Sequence, residues 1–313
     1  MEVEEIDIAE LLLLFKKDCK LQDMTNESIR SYLSELKIYN DYLQENNFDI
    51  LQVSNEILEQ FLQYLRETRG ISQSRIENYF SALSSFYDFL VYKGLATTNI
   101  ILPFRKRYLK RHKKSNPPAV RKLITVTDMS RFVNSIIPIR AKTIAVVLAK
   151  TGIRRGELLK IELNDINFKE QTIMLKEFHK RSNRLIYFDE ETEVMLNKWL
   201  KRRKELVNNG VTALFVNDYG EPIGRSGVYN EIVLWAIKLG FFDPDSNRLE
   251  DHFSCHNFRH FFTTFLLRNG MSREYVKELR GDIRSEAIDI YHHIDKEDLR
   301  KSYLAHIPKL GLT

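Results

Sequence analysis

Through the first hundred residues, apolar side chains recur every three or four positions, the period of one face of a helix. Ile29, Tyr32, Leu33, Leu36 and Tyr39 mark such a face behind a cap at Asn26. Ile57, Leu58, Phe61, Leu62 and Leu65 mark another, predicted over 55–68, with Ser54 opening it and Gly70 ending it. Tyr79, Phe80, Leu83, Phe86, Tyr87 and Leu90 give a third, predicted over 73–92 between Ser72 and Gly94. A shorter apolar segment, residues 6–17, comes first. Four helices with short joints predict a compact all-α N-terminal domain over 1–102. Burial habits assign its aromatic stripe to the core rather than to a base-stacking platform.

Pro103 and then Pro117-Pro118 break the helical pattern, because neither a proline nor the residue before it favours a helix. Residues 103–122 are therefore expected to link two domains, the second covering 123–313. Thr125 or Thr127 opens a helix running to Ile137. A mostly apolar helix over 140–151 ends at Gly152, and 156–161 is a short helix. Residues 166–168, 172–175 and 183–188 read as three short strands. Helical patterns return at 192–207 and 225–238, from Ser254 to Gly270, at 272–279 and at 295–305, with a brief extended piece at 213–216. The expected fold is mostly α with one small antiparallel sheet, an all-α domain followed by an α+β domain.

Charge changes this picture more than composition does. The apolar fraction of 43% and charged fraction of 29% are ordinary for a globular protein. The net charge of +5, however, hides an uneven distribution. Residues 1–102 carry 9 Lys and Arg against 17 Asp and Glu, and the remainder carries 39 against 26. Arg105, Lys106, Arg107, Lys110, Arg111, Lys113, Lys114, Arg121 and Lys122 fall within 105–122 with no acid among them. Such a run suits a phosphate-rich partner and equally suits a solvated connector. The longest apolar runs, 11–15 and 144–149, are too short to cross a bilayer, and no signal peptide opens the chain. Cys19 and Cys255 show no metal-ligand spacing, so the expectation is a reducing cytoplasm and no metal site.

Three places carry candidate chemistry. Arg154 follows the glycine that ends an apolar helix, with Glu157 three residues on to hold it; a charge set against a core usually has a partner or a task. His256 and Arg259 are three apart, hence on one face at the start of a helix, where an anion is favoured. Tyr291 stands in a polar, His-rich stretch, although composition alone does not mark it among fourteen tyrosines.

Taken together, these pieces resemble the catalytic boxes of the tyrosine recombinases, the lambda-integrase family. Thr151-Gly152-Ile153-Arg154-Arg155-Gly156-Glu157-Leu158 matches the family's Thr-Gly-x-Arg-x-x-Glu-Leu box, and His256-x-x-Arg259 matches its His-x-x-Arg. Leu279-Arg280-Gly281-Asp282 stands at the family's Leu-Gly-His or Trp position with one extra residue, and Tyr291-His292-His293 follows at the expected nine residues. The family's lysine lies in a β-hairpin turn. Lys176 and Lys180 are both candidates here, Lys180 being nearer the turn. The resemblance covers 123–310 and, more loosely, the N-terminal domain as a SAM-like core-binding domain. It is of the archaeal-integrase or Xer type.

The resemblance implies a site-specific recombinase that cleaves and rejoins double-stranded DNA through a 3′-phosphotyrosyl intermediate. Tyr291 would be the nucleophile, Arg154, His256 and Arg259 would grip the phosphate, and Lys180 would act as general acid. Asp282 would occupy the site by position, and a carboxylate facing a phosphate would repel it, so its expected role is to orient a cation. Because the tyrosyl bond conserves the phosphodiester's energy, neither metal nor ATP nor another cofactor is expected. Family members act as tetramers on two DNA sites, with the two domains clamping the duplex and the linker following its phosphates. Two other readings are a non-catalytic DNA-binding regulator on the same fold and a type IB topoisomerase.

Overall fold

The computed structural model describes residues 8–109, 123–176, 183–246, 248–282 and 294–313. Contacts divide the chain into two units, Met1–Pro117 and Pro118–Thr313.

The first unit is helical throughout its described residues. Helices α1 (Ile8–Leu21), α2 (Asn26–Glu45), α3 (Asn55–Gln63), α4 (Gln73–Tyr92) and α5 (Ile101–Tyr108) enclose one core. The aromatic stripe is that core. Tyr79, Phe80, Phe86 and Tyr87 are buried, and Phe15 meets Phe86 edge-on at 5.3 Å between ring centroids. Thr25, not Asn26, caps α2: its hydroxyl accepts the Ser28 N–H at 3.2 Å, which leaves Asn26 as the first helical residue. The α3 pattern stops short of 68 as an α-helix and finishes in a π turn over Tyr64–Thr68.

Helix α5 corrects the expected start of the linker at Pro103. A proline in the first turn of a helix removes only an N–H that has no helical partner. Phe104 is then buried, its ring stacked on Phe80 at 5.2 Å, and Arg105 donates to the Ser81 hydroxyl at 3.0 Å. Arg105, Lys106 and Arg107 therefore stand on a helix packed against the first core. Lys110, Arg111, Lys113 and Lys114 lie outside the described residues.

The second unit is built round a helix buried on nearly every side. Helix α6 (Val126–Ser135) is capped by Thr125, and α7 (Ile139–Thr151) follows Pro138. Residues Thr143 to Thr151 are all buried, each of Ile144, Val146, Val147 and Leu148 contributing roughly 1.5–3 kcal/mol. Gly152 ends α7 in the left-handed region at φ 61°, and a Cβ there would lie 2.3 Å from the Phe262 ring. The one-turn helix α8 (Arg155–Leu158) leads to strands β1 (Ile166–Asn167), β2 (Thr172–Leu175) and β3 (Arg184–Tyr187). They pair antiparallel in that order, with Ile173 opposite Ile186. Around α7 then come α9 (Glu190–Arg203), α10 (Arg225–Lys238), α11 (Cys255–Arg268), α12 (Arg273–Arg280) and α13 (Lys296–His306). The extended piece at 213–216 makes single bridges to Glu162 and Pro222 rather than a strand.

The segment after α13 docks in a charged socket. The fully buried Lys150 ammonium donates to Asp189 at 2.7 Å, to the Pro308 carbonyl at 2.6 Å and to Glu191. Glu191 in turn accepts the backbone N–H groups of Leu310, Gly311 and Leu312 at 2.6–3.0 Å. Every charge in the socket thus meets a partner, as burial requires.

Candidate active site

Arg154 and Arg259, more than a hundred residues apart in sequence, meet because α7 and α11 pack together. The left-handed turn at Gly152 redirects the chain so that Arg154 caps α8. Glu157 reaches back, its carboxylate accepting the Arg154 backbone N–H at 2.7 Å and pairing with its guanidinium at 3.7 Å. Arg259, one turn into α11, is 4% exposed and donates to the Gly152 carbonyl at 2.8 Å and the Arg280 carbonyl at 3.0 Å. Arg154 donates to the same Arg280 carbonyl at 3.2 Å.

Asp282 stands between the two arginines. Its Oδ1 accepts from Arg259 at 2.9 Å and lies 3.5 Å from Arg154 Nη2, while Oδ2 is 3.2 Å from Arg280 Nε. Gly281, left-handed at φ 60°, makes the turn that brings it there. Burial, then the charges of Arg154 and Arg280, push the Arg259 guanidinium down to about 9, with Asp282 and Glu157 opposing the shift. At neutral pH it remains cationic, in surroundings where four guanidiniums, those of Arg154, Arg184, Arg259 and Arg280, face two carboxylates, Asp282 and Glu157. Such a place favours a further anion. Burial alone would raise the Glu157 carboxyl; the hydrogen bond and charge of Arg184, with the N–H and charge of Arg154, hold it below its ordinary value.

His256 opens α11 on the exposed side, its ring 5.7 Å from that of His260. The Ser254 N–H donates to Asn257 Oδ1 at 2.9 Å, closing the helix start from the other direction. Two arginines thus converge on Asp282 where α8 begins and α7 and α12 end, and His256 stands at the start of α11.

The amino-acid sequence matches the Phage integrase family over residues 119–298 and the Phage integrase N-terminal SAM-like domain over 11–97. The chain belongs to the phage integrase family. Among curated proteins it is 28% identical over 239 residues to tyrosine recombinase XerC of Vibrio cholerae, spanning 75% of this chain and 72% of that protein. It is 27% identical to XerC of Bacillus subtilis, covering 90% of this chain and 98% of that one. Its fold is like that of a lambda integrase dimer bound to a COC′ core site, with a TM-score of 0.67 at 16% identity over 92% of this chain and 99% of that one.

Of the residues the integrase boxes single out, the structure brings together Arg154, Arg259 and Asp282 and sets His256 at the start of the Arg259 helix. Lys180 and Tyr291 lie outside the described residues. Lys176, the other hairpin candidate, is engaged elsewhere: it pairs with Glu162 and lies 3.5 Å from Asp165. Arg184, unremarked in the sequence, turns out to hold Glu157 at 2.8 Å. Its one signal was a cation at the head of the apolar run Leu185-Ile186-Tyr187-Phe188.

Proposed function

We propose that this protein is a site-specific recombinase of the Xer and integrase type, cutting and rejoining double-stranded DNA. The observation that carries the reading is the convergence of Arg154 and Arg259, from distant segments, on one carboxylate in a site that favours a further anion. A phosphodiester has the charge and the oxygen spacing to use both guanidiniums, and each hydrogen bond strengthens as charge spreads in the transition state.

In the proposed chemistry the Tyr291 oxygen attacks phosphorus and gives up its proton to solvent water. The bond from phosphorus to the 5′-oxygen breaks, and the departing oxygen takes a proton from Lys180, leaving a 3′-phosphotyrosyl link and a free 5′-hydroxyl. Attack by a 5′-hydroxyl reverses the step and reseals a strand. His256 adds a donor to the phosphate, and Asp282 orients Arg259 rather than touching DNA. Arg105, Lys106, Arg107, Lys110, Arg111, Lys113 and Lys114 hold the phosphate backbone without reading bases. The working assembly is a tetramer of this chain on two DNA sites. The cytoplasm is its proposed compartment, as the substrate and the buried free thiols of Cys19 and Cys255 suggest.

The test is a nicked duplex that traps the covalent intermediate. The parent protein should give a denaturation-resistant DNA adduct, and Tyr291→Phe should bind the duplex equally and give none. An adduct of full yield from Tyr291→Phe removes that residue from the mechanism; binding without any adduct from the parent leaves a regulator instead.

A further inference from the structure

We infer that Arg184 is a positioning residue for strand cleavage, tying the β2–β3 hairpin to the two-arginine site; this rests on the recombinase reading above. Lys180 falls in the sequence between β2 and β3, which pair antiparallel, and Arg184 is the first residue of β3. Its side chain is only 8% exposed. Nη1 donates to Glu157 Oε1 at 2.8 Å and Nε to the Leu279 carbonyl at 3.3 Å, while Nη2 is buried with no hydrogen-bond partner among the described residues. A Cβ on Gly281 would lie 2.6 Å from the guanidinium carbon, so the turn before Asp282 closes directly over this group.

A buried strand position is ordinarily apolar, and a guanidinium with one nitrogen unsatisfied costs free energy that a leucine would not. Arginine offers instead a rigid planar fork that fixes two acceptors relative to each other. Those acceptors are the carboxylate that holds Arg154 and the α12 carbonyl three residues before Asp282. Arg184 therefore joins β3, the Arg154 box and the end of α12 before Asp282 by direct hydrogen bonds. It does not touch the reacting phosphate. It sets the distance between the groups that do, and a misplacement of about 1 Å in such a site costs about 10²-fold in rate.

The experiment measures single-turnover adduct formation by the full chain on two nicked duplexes. One has an ordinary scissile phosphate, the other a methylphosphonate at that position, which carries no net charge. Arg184→Met should slow adduct formation about 10²-fold on the ordinary duplex while duplex affinity stays within about twofold. On the methylphosphonate the loss should shrink below about threefold, because a neutral centre gains little from a well-set pair of cations. Arg184→Lys, which keeps the charge beside Glu157 and loses the fork, should recover part of the rate and show the same contrast; it carries the test if the Met variant does not fold. Equal losses on both duplexes, or losses that follow the melting temperature, would make Arg184 a residue of the fold alone. An undiminished adduct would overturn the inference outright. A parent chain that forms no adduct would overturn the recombinase reading, and this inference with it.

Discussion

Replacing Glu191 by Gln tests the charged socket under residues 308–312. Glu191 is 8% exposed and accepts three backbone N–H groups besides the Lys150 ammonium. A glutamine keeps the shape but has one acceptor oxygen, and its NH₂ must face a donor. Removing one partner of a buried ion pair typically costs about 3–5 kcal/mol. Lys150 keeps Asp189 at 2.7 Å, which moves the expectation to roughly 2–4 kcal/mol. Urea unfolding followed by tryptophan fluorescence reads this unit alone, since both tryptophans, Trp199 and Trp235, belong to it.

The pH dependence sharpens the test. Burial alone would raise the Glu191 carboxyl, but the Lys150 hydrogen bond, the Leu310 and Leu312 N–H groups and the Lys150 charge hold it below its ordinary value of 4.5. A carboxyl lowered on folding contributes stability that is complete above its unfolded value and lost as pH falls through the folded one. The cost of Glu191→Gln should therefore be largest above pH 4.5 and shrink in stronger acid. Amide exchange at Leu310, Gly311 and Leu312 should quicken in the variant at neutral pH. A change under about 1 kcal/mol, the net worth of a single hydrogen bond, with those amides still protected, would refute this account of the socket.

Two further expectations concern the site. Asp282→Asn should slow adduct formation by loosening Arg259, and Asp282→His should be better tolerated; an Asn variant that cleaves as fast as the parent would leave the charge without a part. Lys180→Ala should slow cleavage about 10²-fold or more and be rescued by a 5′-thiol leaving group, whereas Lys176→Ala should do neither; the reverse result would reassign the acid.

Helices whose apolar residues face one core were legible in the sequence, because that arrangement writes a period of 3.6 into it. Helix α5 was hidden because Pro103 and the three cations Arg105, Lys106 and Arg107 look like a connector until Phe104 is seen buried. The meeting of Arg154 with Arg259 was legible only as a motif, since nothing in composition brings residues 105 positions apart together. Arg184 was not legible: an arginine at a strand end normally faces water, and only the packing of α12 across β3 buries it. The socket was equally hidden. Glu190, Glu191 and Glu193 are what any helix N-terminus attracts, and no periodic pattern marks residues 308–312.

Arg259 also serves as the stopper of two helices. α7 and α12 each finish on a left-handed glycine, and each turns one of its last carbonyls, those of Gly152 and Arg280, toward that single guanidinium. The negative ends of two helix dipoles therefore help to keep a cation charged where burial works against it. The same bonds make the residue part of the scaffold, since its loss would take this donor from the Gly152 carbonyl and leave the Arg280 carbonyl to Arg154. An inert Arg259→Ala preparation would consequently report on folding as much as on chemistry. A DNA-binding but cleavage-deficient form of this protein is better sought by Tyr291→Phe, at the proposed nucleophile.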